Sequence, residues 1–373
     1  MSDIIRYQYT AIETCAVDSS CAANCPYGID TGVVMKQFRN EQANPTRERI
    51  ALAVARQWGF VERAARLLMV FVGGVQRVFG HRPFEVVTGA LRKVVSPDLL
   101  PTVPGPMPKA AKARLPHTLP DGAAAVYFPA CVNRIFGRDP DAPADALSLP
   151  EALVKVSARA GRQLWIPPDV GGHCCGTIWS SKGYAQGRDH MYLKMANSLL
   201  DWTGEGELPV VVDATSCTAG LLREVPKKLP VELRTRYEQI RIVDSLTWAH
   251  DLLDDLTIAQ PADQVVLHPG CSANKLGLDR TSLALARAVA RDVHVPYGAG
   301  CCGTAGDRGL LHPELVVSAT KDERMDLPDG AAVYLSSNRT CEMGLRQVTG
   351  QPFESVVYML EEASRPQRGK ERP

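Results

Sequence analysis

The 373-residue sequence predicts an α/β protein made of two tandem, duplicated domains with parallel-type sheets. A short cysteine-rich segment and a helical segment precede the two domains. Two observations predict this fold. After residue 120, apolar runs rich in Val and Tyr alternate with helical stretches, which is typical of βαβ units. The order Cys, Cys-Cys-Gly, Cys-x-x-Gly also occurs twice in this part of the chain, which indicates two copies of one domain.

The predicted strands form matching sets in the two copies. They are "AAAVYFPA", "GRQLWIP" and "PVVVDA" in the first copy, and "DQVVLHP", "VHVPYG" and "AAVYLSS" in the second. Stretches such as "YAQGRDHMYLKMANSLLDW" and "SLALARAVARD" have helical periodicity. The cysteines of each copy fall at or just beyond the ends of the apolar runs. Open α/β sheets bind their ligands at that edge.

The domain boundaries follow from these patterns. Seven prolines between residues 97 and 120, without any period, predict a linker. We expect a cysteine-rich segment at residues 1–45 and a helical segment with linker at 46–120. The two repeated domains should follow at 121–260 and 261–365, and a tail at 366–373.

Composition limits the classes of function. The net charge is +1 and basic and acidic residues are interspersed, so no nucleic-acid partner is expected. The chain opens without the basic and apolar regions of a signal peptide, and its eleven cysteines are an odd number. Metal ligands in a reducing cytoplasm are therefore expected rather than disulfides. The longest apolar run, "LLMVFVGGV", is too short to span a bilayer.

Residues 41–95 have apolar residues at three- and four-residue intervals, which predicts helices. Basic residues interleave with the apolar ones. The sequence leaves two interpretations open: helices that pack on the main body and carry a solvated basic face, or a contact with a membrane surface or a quinone. The basic residues are Arg56, Arg63, Arg66, Arg77, Arg82, Arg92 and Lys93.

The stretch "GAGCCGTAGDRG" contains a GxGxxG spacing that is typical of dinucleotide-binding loops. The related stretch "DVGGHCCGTIWS" keeps the cysteine pair but loses the glycine spacing, so the thiols are the repeated feature. Adjacent thiolates can serve one site only at a tight turn, which the following glycine permits. This spacing favours an iron–sulfur cluster, with zinc as the alternative.

The repeats resemble the cysteine-rich CCG domains found in heterodisulfide reductase, in the iron–sulfur component of glycolate oxidase and in the iron–sulfur component of anaerobic glycerol-3-phosphate dehydrogenase. That family's pattern has five cysteines, and Gly220 and Gly344 stand where its last cysteine would be. The resemblance implies one or two [4Fe–4S] clusters, with the cubane or noncubane type left open. The candidate ligands are Cys131, Cys174, Cys175 and Cys217 (the first site) and Cys271, Cys301, Cys302 and Cys341 (the second site).

The amino-terminal stretch "TCAVDSSCAANCPYG" has the spacing of a bacterial ferredoxin motif, with an aspartate in place of the second cysteine. Cys15, Asp18, Cys21 and Cys25, the N-terminal set, are therefore candidate ligands of one shared [4Fe–4S] cluster. A carboxylate is a harder ligand than a thiolate, so the iron at Asp18 should be labile. The alternative interpretation is a cysteine-rich loop in which Asp18 caps a helix.

Nearly the whole chain resembles the carboxy-terminal part of FAD-linked D-lactate dehydrogenases of the cytochrome- or quinone-reducing type. The likeness includes "CAVDSSCAANCPYGIDTG", "YFPACVNRIFG", "HPGCSANK" and "SSNRTCEMGL". It implies an electron-transfer module of an oxidoreductase, cytoplasmic or peripheral on the inner face of the membrane. A quinone, cytochrome or other acceptor would take the electrons. Glycolate, glycerol-3-phosphate or L-lactate systems are the alternative, and a zinc-stabilised interaction module is a third.

No catalytic residue is predicted within the chain. FAD is expected only on a partner oxidase chain with a complementary ferredoxin motif, or on a missing upstream portion. His173, His268 and His294 lie near cysteines. We expect them to support the sites rather than to ligate metal.

Overall fold

The computed structural model describes residues 7–94, 101–102, 105–330 and 333–366. Within them, the chain forms two four-stranded sheets. All strand pairs are parallel, and the strand order is β2-β1-β3-β4 in the first sheet and β6-β5-β7-β8 in the second. The two orders are equivalent, so the predicted α/β fold with two duplicated parallel domains is confirmed.

The strands are short and mostly buried. In the first repeat they are β1 (Ala125–Phe128), β2 (Leu164–Trp165), β3 (Val210–Val212) and β4 (Ile242–Asp244). In the second repeat they are β5 (Ala262–Leu267), β6 (Ala290–His294), β7 (Val333–Ser336) and β8 (Phe353–Ser355). The six predicted apolar runs therefore form six of the strands, and β4 and β8 complete the sheets.

Helices connect the strands. Those of the first repeat are Cys131–Ile135, Leu149–Arg159, Thr177–Lys182, Ala185–Thr203, Thr215–Arg223, Val231–Tyr237 and Ser245–Asp251. Those of the second are Cys271–Leu276, Asp279–Val289, Arg308–Leu311, Pro313–Ala319, Lys321–Met325, Arg339–Thr349 and Val356–Ala363. Short 3₁₀ turns lie at Pro226–Lys228 and Leu253–Asp255.

The fourth strand of each sheet leads directly into a helix. Asp244 ends β4 and its side chain accepts a hydrogen bond from Leu246 N, while Ser355 ends β8 and accepts one from Val357 N. Asp and Ser stabilise helix starts because their oxygens satisfy free backbone N–H groups. The same local solution at equivalent places shows that the duplication extends to the final helix of each repeat.

The two repeats share one hydrophobic core. The helix Ser245–Asp251 of the first repeat packs against Asp279–Val289 and Val356–Ala363 of the second. Ion pairs join the repeats around this core, with Arg138 to Glu354 and Arg159 to Glu361. The two sheets are thus parts of one packed body.

The amino-terminal part is helical. It contains a π-helical turn, Gln8–Glu13, followed by the helices Ser20–Asn24, Thr31–Glu41, Pro45–Arg56, Trp58–Phe79 and Arg82–Val94. The helices predicted across residues 41–95 are therefore present. We call Trp58–Phe79 the long helix. No helix of the described ranges is long and apolar enough to cross a membrane.

The amino-terminal helices pack on the first repeat. Lys36 pairs with Glu224 at 2.6 Å, and Glu48 accepts a hydrogen bond from Ala185 N. The long helix passes close to Gly172, whose φ is +78°, and a Cβ there would lie 3.1 Å from Gly59 Cα. Both requirements favour glycine. The predicted linker and tail lie partly outside the described residues, while the described residues 105–120 contain no helix.

Candidate metal centres

The eight thiols of the repeats lie at or beyond the carboxyl ends of strands, as expected for ligand sites of open parallel sheets. Cys131 and Cys271 begin helices that follow β1 and β5. Cys217 and Cys341 lie in the first turn of the helices that follow β3 and β7. All eleven cysteines of the chain are free thiols.

The first site brings its four cysteines together in two contacting pairs. The Sγ atoms of Cys131 and Cys174 are 3.5 Å apart, and those of Cys175 and Cys217 are 3.0 Å apart. Hydrogen bonds from Cys174 and Cys217 lower the pKa of Cys175 well below its ordinary value. Cys174, Cys175 and Cys217 are buried. Cys131 is half-buried. The site therefore favours a thiolate at one of its buried positions.

A buried ion pair closes the first site. Arg134, three residues after Cys131, binds Glu62 of the long helix through two hydrogen bonds of 2.8 and 2.6 Å. It also donates to His173 O at 2.6 Å, next to Cys174. The carboxylate of Glu62 and the thiols of Cys131 and Cys174 raise the pKa of Arg134 against the effect of burial. The guanidinium thus supplies fixed positive charge beside the thiols.

Asp213 holds the loop that carries Cys131. Its carboxylate accepts hydrogen bonds from Tyr127 Oη at 2.7 Å and from Ala130 N at 2.6 Å. Its backbone oxygen accepts one from Asn133 Nδ2 at 3.1 Å. These bonds tie β1 and the start of the Cys131 helix to the end of β3, so the first thiol is fixed by buried polar contacts.

The second site has the same pairing. The Sγ atoms of Cys302 and Cys341 are 2.9 Å apart, and Cys271 and Cys301 form the other hydrogen-bonded pair. The hydrogen bond from Cys341 lowers the pKa of Cys302 to about 6. Cys302 and Cys341 are buried, whereas Cys271 and Cys301 are only half-buried. One side of this site is therefore open.

The open side faces a cavity of about 600 Å³. Cys271 and Cys301 line it, together with Asn274, Lys275 and Asp18. The hydrogen bond between the two thiols lowers the pKa of Cys271 and raises that of Cys301, and the charge of Asp18 acts on both as a smaller effect. The amino-terminal segment therefore contributes a carboxylate to the wall of the second site.

A fully buried histidine lies beside the second site. His268 Nδ1 is 2.9 Å from Glu323 Oε1 and 3.0 Å from Oε2, and both side chains are completely buried. Burial alone would lower the pKa of His268, but the hydrogen bond and charge of Glu323 raise it above its usual value. The second site thus has its own buried pair of a basic side chain and a carboxylate, at a different position from the pair of the first site.

Each site has a threonine against a glycine. Thr177 Oγ1 is 3.3 Å from Cys175 Sγ, and a Cβ on Gly220 would lie 2.5 Å from that hydroxyl. Thr304 Oγ1 stands even closer to the place where Gly344 would carry a Cβ. At Gly220 and Gly344, a side chain larger than hydrogen would thus collide with the threonine hydroxyl.

The N-terminal set is spread over its loop. Cys15 O accepts from Arg39 at 2.8 Å, and Cys21 Sγ lies 3.1 Å from Thr31 Oγ1. Asp18 Oδ1 accepts from Ser20 N at 3.1 Å, at the start of the helix Ser20–Asn24, while it also lines the cavity described above. Hydrogen bonds from backbone N–H groups of residues 27–29 lower the pKa of Cys25. Ligation by this set stays a prediction.

No group of three or more His, Cys, Asp or Glu side chains within the described ranges is arranged to hold a single metal ion. The chemistry of the donors nevertheless fits a soft metal or an iron–sulfur group, because thiolates are the ligands such groups prefer. Each set of four free thiols has a buried pair of a basic side chain and a carboxylate beside it. In addition, His268 Nε2 is buried without a hydrogen-bond partner.

Sequence reasoning missed Arg134, Glu62, Glu323 and the threonines. Arg134 meets Glu62 across 72 residues and His268 meets Glu323 across 55, so no local spacing connects them. The threonines did carry a signal, because "CCGT" occurs in both repeats.

The comparisons with known proteins support the cysteine pattern. Residues 265–346, which contain the second site, match the family model CCG, described as a cysteine-rich domain. The chain therefore contains a CCG domain in its second repeat, and the equivalent sheet order places a domain of the same architecture before it.

The chain is similar to two curated relatives, the C subunits of the anaerobic glycerol-3-phosphate dehydrogenases of Escherichia coli K12 and Escherichia coli O157:H7. Each is 23% identical over 196 residues, which cover 51% of this chain and 49% of the relative. The chain thus spans about half the length of the curated relatives that it matches. No solved structure matches the chain significantly.

Proposed function

We propose that this protein is an iron–sulfur electron-transfer module of an FAD-linked dehydrogenase. The observation that carries the proposal is the repetition of one four-thiol site at the carboxyl edge of two equivalent parallel sheets. The match of the second repeat to the CCG family and the likeness to a dehydrogenase subunit support it. The first and second sites would hold the clusters through the eight cysteines.

An iron–sulfur cluster supplies one-electron transfer, and its potential depends on charge, hydrogen bonds and solvent exposure. The residues of this chain set those conditions. Arg134 places a buried positive charge at the first site, and the buried pair of His268 and Glu323 lies at the second. The Arg134–Glu62 pair covers part of the first site, whereas a cavity opens onto the second. The more open second site is therefore the one proposed to exchange electrons with a partner.

Elemental analysis tests the metal assignment. Anaerobically purified protein should contain iron and acid-labile sulfide in excess of zinc. Zinc with negligible sulfide would contradict electron transfer and support the zinc-stabilised interaction module instead.

We infer that the dehydrogenase oxidises a 2-hydroxyacid, and D-lactate is the substrate favoured by the resemblance of the motifs. FAD would be carried by a partner chain or an upstream portion with a complementary ferredoxin motif. Glycerol-3-phosphate is the second candidate, because both curated relatives are subunits of a glycerol-3-phosphate dehydrogenase. Dye reduction by the chain mixed with candidate flavoproteins, assayed with D-lactate, glycerol-3-phosphate and glycolate, distinguishes the substrates.

The N-terminal set is proposed to bind a cluster shared with that partner. Mild oxidation should then remove the iron at Asp18 and give a [3Fe–4S] EPR signal, which Asp18→Cys should suppress because a soft ligand holds iron more firmly. The same signal in both proteins would show that Asp18 is no ligand of this cluster.

Peripheral membrane contact is proposed for the long helix and the helix Arg82–Val94. Phe60, Leu67, Phe71 and Phe79 are each more than 60% exposed, although they are large and apolar. Arginines interleave with them, which is typical of helices that lie on anionic lipid. Sedimentation with vesicles that contain phosphatidylglycerol should recover the chain, and Leu67→Glu with Phe71→Glu should abolish recovery.

A further inference from the structure

His268 occupies a position that the first repeat fills with an apolar side chain. It stands three residues before Cys271, and Phe128 stands three residues before Cys131. Phe128 is completely buried and packs on Trp202 and under Arg134. His268 is also completely buried. The second repeat has therefore placed a polar ring where the same fold accepts a hydrocarbon one.

Only one side of the His268 ring is satisfied. Nδ1 lies 2.9 and 3.0 Å from the two carboxylate oxygens of Glu323. Nε2 is buried and has no hydrogen-bond partner among the described residues. A buried polar atom without a partner is unfavourable, and such atoms in native proteins usually meet an ion, a water molecule or a ligand. The unpaired nitrogen therefore points to a ligand at this position.

The ring lies beside the thiols. Cδ2, the ring carbon next to Nε2, is 4.0 Å from the place where a Cβ on Gly270 would lie, and Gly270 directly precedes Cys271. The thiols of Cys302 and Cys271 are near enough for their charges to act on the ring. Because Glu323 takes Nδ1, Nε2 is the ring nitrogen left for a contact with the second site.

We propose that His268 is a fifth metal-ligating side chain of the second site and that it binds through Nε2, with Glu323 holding the Nδ1–H. The proposal rests on the proposed function, because it requires that the second site hold iron or another metal. Histidines that bind metal commonly donate their other N–H to a carboxylate, which fixes the tautomer and the ring orientation. Imidazole is a suitable ligand for both iron and zinc. The first repeat has Phe128 at the equivalent position, so no imidazole takes that place there.

Pulsed EPR with histidine isotopes tests this ligand directly. The full chain is purified anaerobically with ¹⁴N- or ¹⁵N-labelled histidine and then reduced. We expect a nitrogen coupling that changes with the isotope. His268→Phe combined with Glu323→Leu should remove it, because phenylalanine is the residue of the first repeat and leucine leaves no buried carboxylate unpaired. His294→Gln is the control and should keep it, because His294 Nε2 bonds Asp326 O at 2.7 Å.

His268→Asn is the second variant, because its amide can keep the hydrogen bond to Glu323 while it lacks Nε2. It is measured if the double variant does not fold. An iron-loaded protein without isotope-sensitive coupling would overturn the proposal, and so would a coupling that survives in whichever of the two variants folds. If the protein instead contains zinc without sulfide, the proposed function fails separately. X-ray absorption at the zinc edge should then show one nitrogen among sulfur ligands, and a shell of sulfur alone would overturn the ligand assignment.

Discussion

The two repeats share one strand order and one order of thiols, yet they surround those thiols differently. In the first repeat, Arg134 and Glu62 close the site against the long helix. In the second, Asn274 stands three residues after Cys271, as Arg134 does after Cys131, and it lines the cavity. The cysteine pattern therefore fixes where ligands lie, whereas residues outside the pattern decide whether the site is closed or open.

The buried basic side chain that is paired with a carboxylate also differs in position between the repeats. It follows the first cysteine in one copy, at Arg134, and precedes it in the other, at His268. Its carboxylate comes from a different element in each copy, Glu62 of the long helix or Glu323 of Lys321–Met325. A duplicated site can thus keep a buried polar pair while its access changes.

The largest effect is expected from breaking the closure of the first site. Arg134→Met leaves Glu62 buried and unpaired, which should lower the free energy of unfolding by about 3–5 kcal/mol. Urea denaturation at matched metal content measures it. The combination with Glu62→Leu should recover most of the loss, because no buried charge remains.

Asn274→Met is the matched control in the second repeat. Asn274 is exposed, so this change should alter the free energy of unfolding by less than about 0.5 kcal/mol. Equal losses of unfolding free energy in the two variants would contradict the difference between a closed first site and an open second site.

The threonine–glycine contacts should respond alike in both repeats. Gly220→Ala and Gly344→Ala each place a methyl group against a threonine hydroxyl, which should cost about 1–3 kcal/mol of stability. In open helix positions alanine instead stabilises, by up to about 1 kcal/mol relative to glycine. Thermal melts measure the sign. Thr304→Ala should rescue Gly344→Ala, and failure of this rescue would mean that the hydroxyl is not the obstacle.

Access to the thiols should differ between equivalent positions. In metal-free, folded protein, maleimide should modify Cys301 at least about tenfold faster than Cys174, which corresponds to an opening free energy of about 1.4 kcal/mol for the buried thiol. Cys174 is 2% exposed, whereas Cys301 lines the cavity. Peptide mass spectrometry over time gives both rates. Similar rates would indicate that the first site also opens.

The smallest expected effect concerns the ion pair between an amino-terminal helix and the first repeat, Lys36 with Glu224. Burial alone would raise the pKa of Glu224, but the charge and hydrogen bond of Lys36 lower it below its usual value. The pair therefore stabilises the protein above the unfolded pKa of about 4.5, and this contribution is lost as the pH falls through the lower folded value. Because both side chains are partly exposed, Lys36→Met should cost less than about 1 kcal/mol in urea at pH 7. A difference that persisted at pH 3 would contradict this assignment.

Much of the fold was predictable because its signals are local. Six apolar runs form strands, and the cysteines follow them as the rule for parallel sheets requires. The short strands β4 and β8 were missed, since three residues such as those of Ile242–Asp244 give too few alternations to register. A comparison of "IVDSLTWAHDLL" with "FESVVYMLEEA" could have found both, because each joins a strand end to a capped helix.

The candidate site was predictable only in its cysteines. Their spacing is local, but the partners that close or charge the sites are not. Glu62 reaches Arg134 because the long helix packs on the loop at Gly172, and that approach exists only in the folded chain. The sequence predicts Asp18 as part of a ferredoxin motif, yet its carboxylate also lines the cavity of the second site. Tertiary packing added these contacts, which no spacing in the sequence encodes.

One hydrophobic core spans both repeats, so we expect them to unfold together. The helix Ser245–Asp251 buries Leu246 and Trp248 at the interface region, and Val357 and Leu360 are buried on the other side. A cut between the repeats would expose these apolar side chains to water on both fragments, and exposed patches of that kind promote aggregation. We therefore expect the duplicated halves to depend on each other for solubility, although each retains a complete sheet and its own set of thiols.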